Sequence, residues 1–186
     1  MLGTQKSSPL LIDRSECALI IIDAQEKLMP VISGKEELIA NLIRLVKFAT
    51  LTGIPIIVTE QEKLGATVPE LAELLKGQRL LTKTEFNCFL NRGFAEHVKM
   101  LEKPNIVIAG VEAHICVAQT ALCGLQDYAV HVVSDAVSSR AAYNKNIALE
   151  RVKRAGATAT STEMFIYEIL QKAGTEEFKS VLPLVK

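Results

Sequence analysis

Ala18-Leu19-Ile20-Ile21-Ile22-Asp23 is the stretch on which the fold turns: an unbroken apolar run ends in a carboxylate. A strand with one wet face alternates apolar and polar residues. A continuous apolar run is expected of a strand buried on both faces, as in a parallel sheet covered by helices. Asn105-Ile106-Val107-Ile108-Ala109 repeats the pattern and is followed by Gly110. Working outward, Ile56–Thr59, Arg79–Thr82, Val130–Ser134 and Ala157–Thr160 read as further strands, the last of them short.

Amphipathic stretches fill the intervals. From Glu36 to Thr50, Leu38, Ile39, Leu42, Leu45, Val46 and Ala49 recur at helical spacing; Gly53 ends that helix and Pro55 starts the next segment. Val68–Lys76 reads as a short helix with Pro69 in its first turn. Arg92–Leu101, Ile115–Tyr128 and Asn144–Ala155 follow, and Ser161-Thr162-Glu163 caps a final helix through Lys172. Strands alternating with helices predict an α/β fold: a three-layer αβα arrangement around a doubly wound parallel sheet. With no repeat, low-complexity segment or linker, residues 1–186 read as a single domain.

Composition narrows the function. The formal net charge is zero, which makes no electrostatic case for nucleic acid or an anionic membrane surface. Aromatics are few and Trp is absent, so a base-stacking platform is not expected. No apolar run approaches the roughly 18 residues of a transmembrane helix. MLGTQKSSPLLIDRSE, residues 1–16, lacks the apolar core and cleavage site of a secretory leader, so a cytoplasmic protein is expected. Cys17, Cys88, Cys116 and Cys123 lack CxxC spacing and are too sparse for a disulfide framework. Three of them read as small buried hydrophobes, leaving at most one with chemistry.

In doubly wound sheets, ligands bind beyond the carboxyl ends of the strands, where strand order reverses. That rule selects Asp23 after the first strand, Lys83 after the third, and Cys116, which enters a helix after Gly110-Val111-Glu112-Ala113-His114-Ile115. If the first and fourth strands are neighbours, Asp23 and Cys116 flank the switch point and Lys83 approaches from the side. The helix N-terminus and Lys83 favour a Cys116 thiolate, and Asp23 can take the thiol proton. Backbone N–H groups of the glycine-led turn can receive an oxyanion. Such equipment suits acyl transfer from an amide or ester. The plainer readings are a loop cap for Asp23, a solvated charge for Lys83 and simple packing for Cys116.

Other positions carry less. Gln25 follows Asp23, and Glu60 and Gln61 follow the second strand; these either line a pocket or lie in solvated loops. Phe86 either walls the site or joins the core. Asp135 reads as a cap or turn residue. His114 lies two positions from Cys116, and helical residues at that spacing do not face each other. His97 and His131 fall at no carboxyl end, so a three-His metal site is not expected. DAQEKL after the first strand offers no GxGxxG for a dinucleotide.

ALIIIDAQEKLMP (18–30), LTKTEFNCF (81–89) and IVIAGVEAHICVAQTA (106–121) together resemble the isochorismatase-like family. That family includes nicotinamidases, N-carbamoylsarcosine amidohydrolases and isochorismatases. The match follows the family's order and spacing over essentially the whole chain. Within it, TEQEKLGATVPEL (59–71) and EAHICVAQTAL (112–122) are similar to the small isochorismatase-domain proteins. The resemblance implies a six-stranded sheet of order 3-2-1-4-5-6 and a catalytic set of Asp23, Lys83 and Cys116. It also implies a cis peptide between Val111 and Glu112, which aims the amides of Glu112 and Cys116 at an oxyanion, and a homo-oligomer.

Two departures refine this. Nicotinamidases carry an Asp and two His metal ligands after the second strand, where this chain has Thr59-Glu60-Gln61-Glu62-Lys63. No metal or other cofactor, and a substrate other than nicotinamide, are therefore expected. Isochorismatase proper lacks the nucleophilic Cys, so Cys116 points to cleavage of an amide-type C–N bond in a small molecule. The competing reading is an oligomeric protein-interaction module with a vestigial site, its face built on Ala118, Ala121 and Leu122.

Overall fold

Cys17, Leu19 and Ile21 of β1 (Cys17–Ile22) face one side of the sheet, Ile20 and Ile22 face the other, and all are buried. The run is unbroken because both faces are covered, while the twofold alternation of side chains still divides it between two cores. The computed structural model describes residues 11–185. Residues 1–10, which hold most of the segment judged against a secretory leader, lie outside the described residues.

β2 (Ile56–Gln61), β3 (Arg79–Lys83), β4 (Asn105–Val111), β5 (Ala129–Ser138) and β6 (Thr158–Thr160) complete a six-stranded sheet of order β3-β2-β1-β4-β5-β6. Every pairing is parallel. β1 is central and pairs with β4, Ile22 standing opposite Gly110, so the order reverses between these two strands. One helical layer contains α1 (Lys35–Thr52), α2 (Pro69–Ala72), α6 (Thr162–Leu170) and α7 (Glu176–Val185), whose Leu42, Leu71, Phe165 and Val181 share a core with Leu19 and Ile21. The opposite layer contains α3 (Arg92–Met100), α4 (Ala118–Gly124) and α5 (Ala142–Arg154), packed through Phe94, Ala121 and Val152 onto Ile20, Ile22 and Ile108. This is the three-layer αβα architecture.

Several boundaries differ from the sequence expectation. β5 does not stop at Ser134. It shifts register between Ile108 and Gly110 of β4 and continues, pairing Gly110 with Val137 and Val111 with Ser138. The polar residues that look like a strand end are satisfied in place: Ser134 Oγ donates to the Thr160 carbonyl, and Asp135 Oδ1 accepts from Thr162 N at the start of α6. Asp135 is thus a cap, but from within a strand. β3 ends on Lys83 itself. The segment before α4 is not regular helix: Ala113–Val117 forms a π-helical turn. α2 is a single turn ending at Ala72 rather than Lys76. Past the expected last helix, α7 adds a further element whose Val181 is fully buried. Among the described residues no helix is long and apolar enough to cross a membrane.

Candidate active site

The strand order brings Asp23, Lys83 and Cys116 into contact at the carboxyl edge of the sheet. Asp23 directly follows β1, held at a φ of 51° by an N–H···O bond to the Thr59 carbonyl of β2. Aspartate is among the few non-glycine residues that enter this left-handed region readily. Lys83 Nζ donates to Asp23 Oδ2 at 2.7 Å and stands 3.8 Å from Cys116 Sγ. Asp23 Oδ1 accepts from Thr59 Oγ1 at 2.7 Å. Lys83 also donates to Gln61 Oε1 at 2.9 Å. All three principal side chains are buried, Lys83 at 2% exposure and Cys116 at 6%. A lysine this buried needs a compensating charge, and Asp23 is that charge.

Cys116 lies inside the π-helical turn, where Val117 N reaches back to the Glu112 carbonyl. Such turns recur at functional sites because they displace one residue from the helical ladder. The peptide between Val111 and Glu112 is cis. The thiol differs from the expected thiolate. Burial pushes the Cys116 pKa well up, and the Asp23 carboxylate, both as a charge and as a hydrogen-bond partner, adds to this against the opposing pull of Lys83. Desolvation here outweighs the ammonium, which leaves the sulfur a protonated thiol beside a carboxylate. For Lys83, burial lowers the pKa, but negative charge around it, that of Asp23 foremost, opposes this and the net shift is upward.

The sheet's alternation sorts the secondary candidates. Thr59 and Gln61 of β2 share the Cys116 side, whereas Glu60 points to the opposite face, where its carboxylate accepts from Thr67 N and Oγ1. Gln25 is fully buried: it accepts from Gln61 N and donates to the Gln61 and Gly65 carbonyls, bracing two loops. Phe86 is 54% exposed in the connection after β3. His114 turns its Nδ1 to Ser139 Oγ at 2.9 Å, and His131 Nε2 meets Asn105 Oδ1 at the other end of the sheet. Among the described residues no three His, Cys, Asp or Glu side chains converge as metal ligands. Thr59 escaped the sequence reading. Its signal was available, as a hydroxyl closing the apolar run Ile56-Ile57-Val58 at the carboxyl end of a strand.

The buried thiols carry a stability consequence. Burial raises Cys17 to about 12 and Cys88 to about 11, above the ordinary thiol range, as it raises Cys116. Each folded thiol therefore holds its proton more tightly than the unfolded chain does. Stability from this source is intact below about pH 8.5 and declines as pH rises toward the folded values, by up to about 1.4 kcal/mol per pH unit for each thiol. Urea midpoints are expected to fall between pH 9 and 11, and less steeply in Cys17→Ala. Equal slopes for the two proteins would contradict the assignment.

Known proteins agree with the architecture. The isochorismatase domain matches residues 17–164. The secreted isochorismatase effector Isc1 of Phytophthora sojae is 35% identical over 90% of this chain and 83% of its own. The structure described as MAR1 ribonuclease from Caenorhabditis elegans superposes with a TM-score of 0.88 at 35% identity, covering 94% of this chain and 92% of that one. YcaC from Pseudomonas aeruginosa, solved with hexane-2,5-diol and covalent acrylamide, gives a TM-score of 0.89 at 25% identity, covering 96% and 93%. With a domain match spanning most of its length and a relative of this similarity, the chain belongs to the isochorismatase family of hydrolases.

Proposed function

We propose that this protein is a cytoplasmic cysteine hydrolase that cleaves an amide-type C–N bond of a small molecule through a thioester on Cys116. The observation that carries the reading is one buried contact set: Lys83 Nζ lies 2.7 Å from Asp23 Oδ2 and 3.8 Å from Cys116 Sγ. Cys116 Sγ attacks the carbonyl carbon as its proton passes to Asp23, so that the thiolate need not exist beforehand. The carbonyl π electrons move to oxygen, and the amides of Glu112 and Cys116 receive the oxyanion. Collapse of the adduct breaks the C–N bond, and Asp23 returns the proton to the departing amine. Water, deprotonated by Asp23, then attacks the thioester; the acid leaves and the thiol is restored. Lys83 holds Asp23 in place and balances its charge.

Covalent acrylamide in the Pseudomonas aeruginosa relative supports the idea that this fold presents a nucleophile, since acrylamide is an acceptor for thiols. The net charge of zero favours a small substrate over a polyanion. The test is exposure of the intact protein to 4-nitrophenyl acetate, with peptide mass spectrometry of all four cysteines. Cys116 is expected to carry the acetyl group, and Cys116→Ala to carry none. Cys123 is the least buried of the four thiols. Acetylation there first, with Cys116 untouched, would refute the proposal in favour of an inert site.

A further inference from the structure

Glu112 is 4% exposed, yet it carries a carboxylate, and the connection between β5 and α5 answers for it. Arg140 N donates to Glu112 Oε2 at 2.9 Å, and Arg140 Nε donates to Oε1 and Oε2 at 3.1 and 3.2 Å. The preceding residue holds the same turn from another point, Ser139 Oγ lying 2.9 Å from His114 Nδ1. Behind these contacts the connection is anchored to the segment that follows β1. Ser138 Oγ donates to the Ser33 carbonyl at 2.6 Å, and Ser33 N donates to the Ser139 carbonyl at 3.1 Å. Consecutive residues of one connection thus grip residues 112 and 114, on the path from β4 to Cys116.

We infer that Arg140 is a positioning residue for the hydrolytic reaction. It acts through Glu112 in two ways. Gripping the carboxylate fixes the direction of the Glu112 backbone, and hence of the amide that meets the carbonyl oxygen. Its positive charge also cancels a buried negative charge beside the place where that oxygen becomes anionic, a repulsion that low-dielectric surroundings would otherwise amplify. The assignment rests on the reading that the Glu112 and Cys116 amides receive the oxyanion. Arg140 itself is not placed against the substrate. Its side chain is 59% exposed, so its replacement removes little packing.

Two probes of the same sulfur separate this role from a general one. Acetyl transfer from 4-nitrophenyl acetate forms an S–C bond through a tetrahedral oxyanion, releases 4-nitrophenolate and sends the thiol proton to Asp23. Alkylation by iodoacetamide displaces iodide at a saturated carbon and needs no oxyanion. In Arg140→Ala, acetylation of Cys116 is expected to fall at least about tenfold, part of the 10²–10³-fold worth of one oxyanion donor. Alkylation in the same variant should stay within about threefold of the unaltered protein, since no oxyanion forms. Arg140→Lys keeps the charge and should recover most of the lost acetylation.

An unchanged ratio of the two rates in Arg140→Ala overturns the inference, and so does a parallel fall in both, which marks a loosened site. Should Arg140→Ala melt early, Arg140→Gln carries the same comparison. If the unaltered protein alkylates at Cys116 but never acetylates, the proposed function itself fails and the positioning role goes with it. An acetylating protein indifferent to Arg140 loses only the positioning role.

Discussion

Asp23→Asn is expected to lower turnover of any acyl substrate by about 10²–10⁴-fold, the usual worth of a positioned general base. The magnitude follows from the resting state. Burial, the largest factor, keeps the Cys116 proton on sulfur, so the proposed reaction without its base must start from a thiolate that desolvation disfavours. The same change strips a counterion from Lys83, which is 2% exposed. Removing one partner of a buried pair costs about 3–5 kcal/mol, and the melting temperature should drop by roughly 10 °C or more. Stability and chemistry separate in the double variant Asp23→Asn with Lys83→Met. Without an orphaned ammonium it should regain much of the lost stability while its turnover stays low. Thermal melts with single-turnover acetylation decide the matter: turnover within about threefold of the unaltered enzyme in Asp23→Asn would exclude a base worth even 10².

Gly110→Ala is the second large effect, and it acts on the backbone. Gly110 has a φ of +113° and stands opposite Ile22, where β4 meets β1. A Cβ there would lie 2.1 Å from the Ile22 carbonyl oxygen and 2.6 Å from its nitrogen. Neither contact ends in a flexible side chain that can move aside. The two central strands would have to part, and with them the spacing between Asp23 and the turn that carries Cys116. Destabilisation above about 4 kcal/mol is expected, at the far end of single-substitution effects. Gly77→Ala serves as the control, since its φ is also positive, at 83°, but an added Cβ meets nothing within 4 Å. It should cost about 1–3 kcal/mol from conformation alone. Comparable melting temperatures for the two variants would show that the close approach of β1 and β4 is not the constraint.

The fold was legible wherever local pattern and burial say the same thing. Ala18–Ile22 and Asn105–Ala109 read as strands because their unbroken apolar runs need cover on both faces. Leu38 to Ala49 reads as a helix because its apolar spacing matches one buried stripe. Legibility fails where a side chain's partner comes from elsewhere in the chain. Ser134 and Asp135 look like a strand end, but Thr160 and Thr162 satisfy them and β5 runs on. Glu60 and Gln61 look alike as polar residues after an apolar run. The pleat sends Gln61 to Lys83 and Glu60 to Thr67.

By itself the sequence determined the alternation of strands and helices, and it placed Asp23, Lys83 and Cys116 at strand ends, because both follow from periodicities of the local backbone. Tertiary structure decided the rest. Residues 60 and 33 positions apart along the chain meet within 4 Å only because β1 lies between β2 and β4. Protonation was also decided there. Read locally, a thiol near a helix start and a lysine suggests a thiolate, but desolvation depends on everything packed around the sulfur, and in this fold it outweighs the lysine. Arg140 belongs to the same class: an arginine in a loop becomes a grip on Glu112 because β5 lies beside β4.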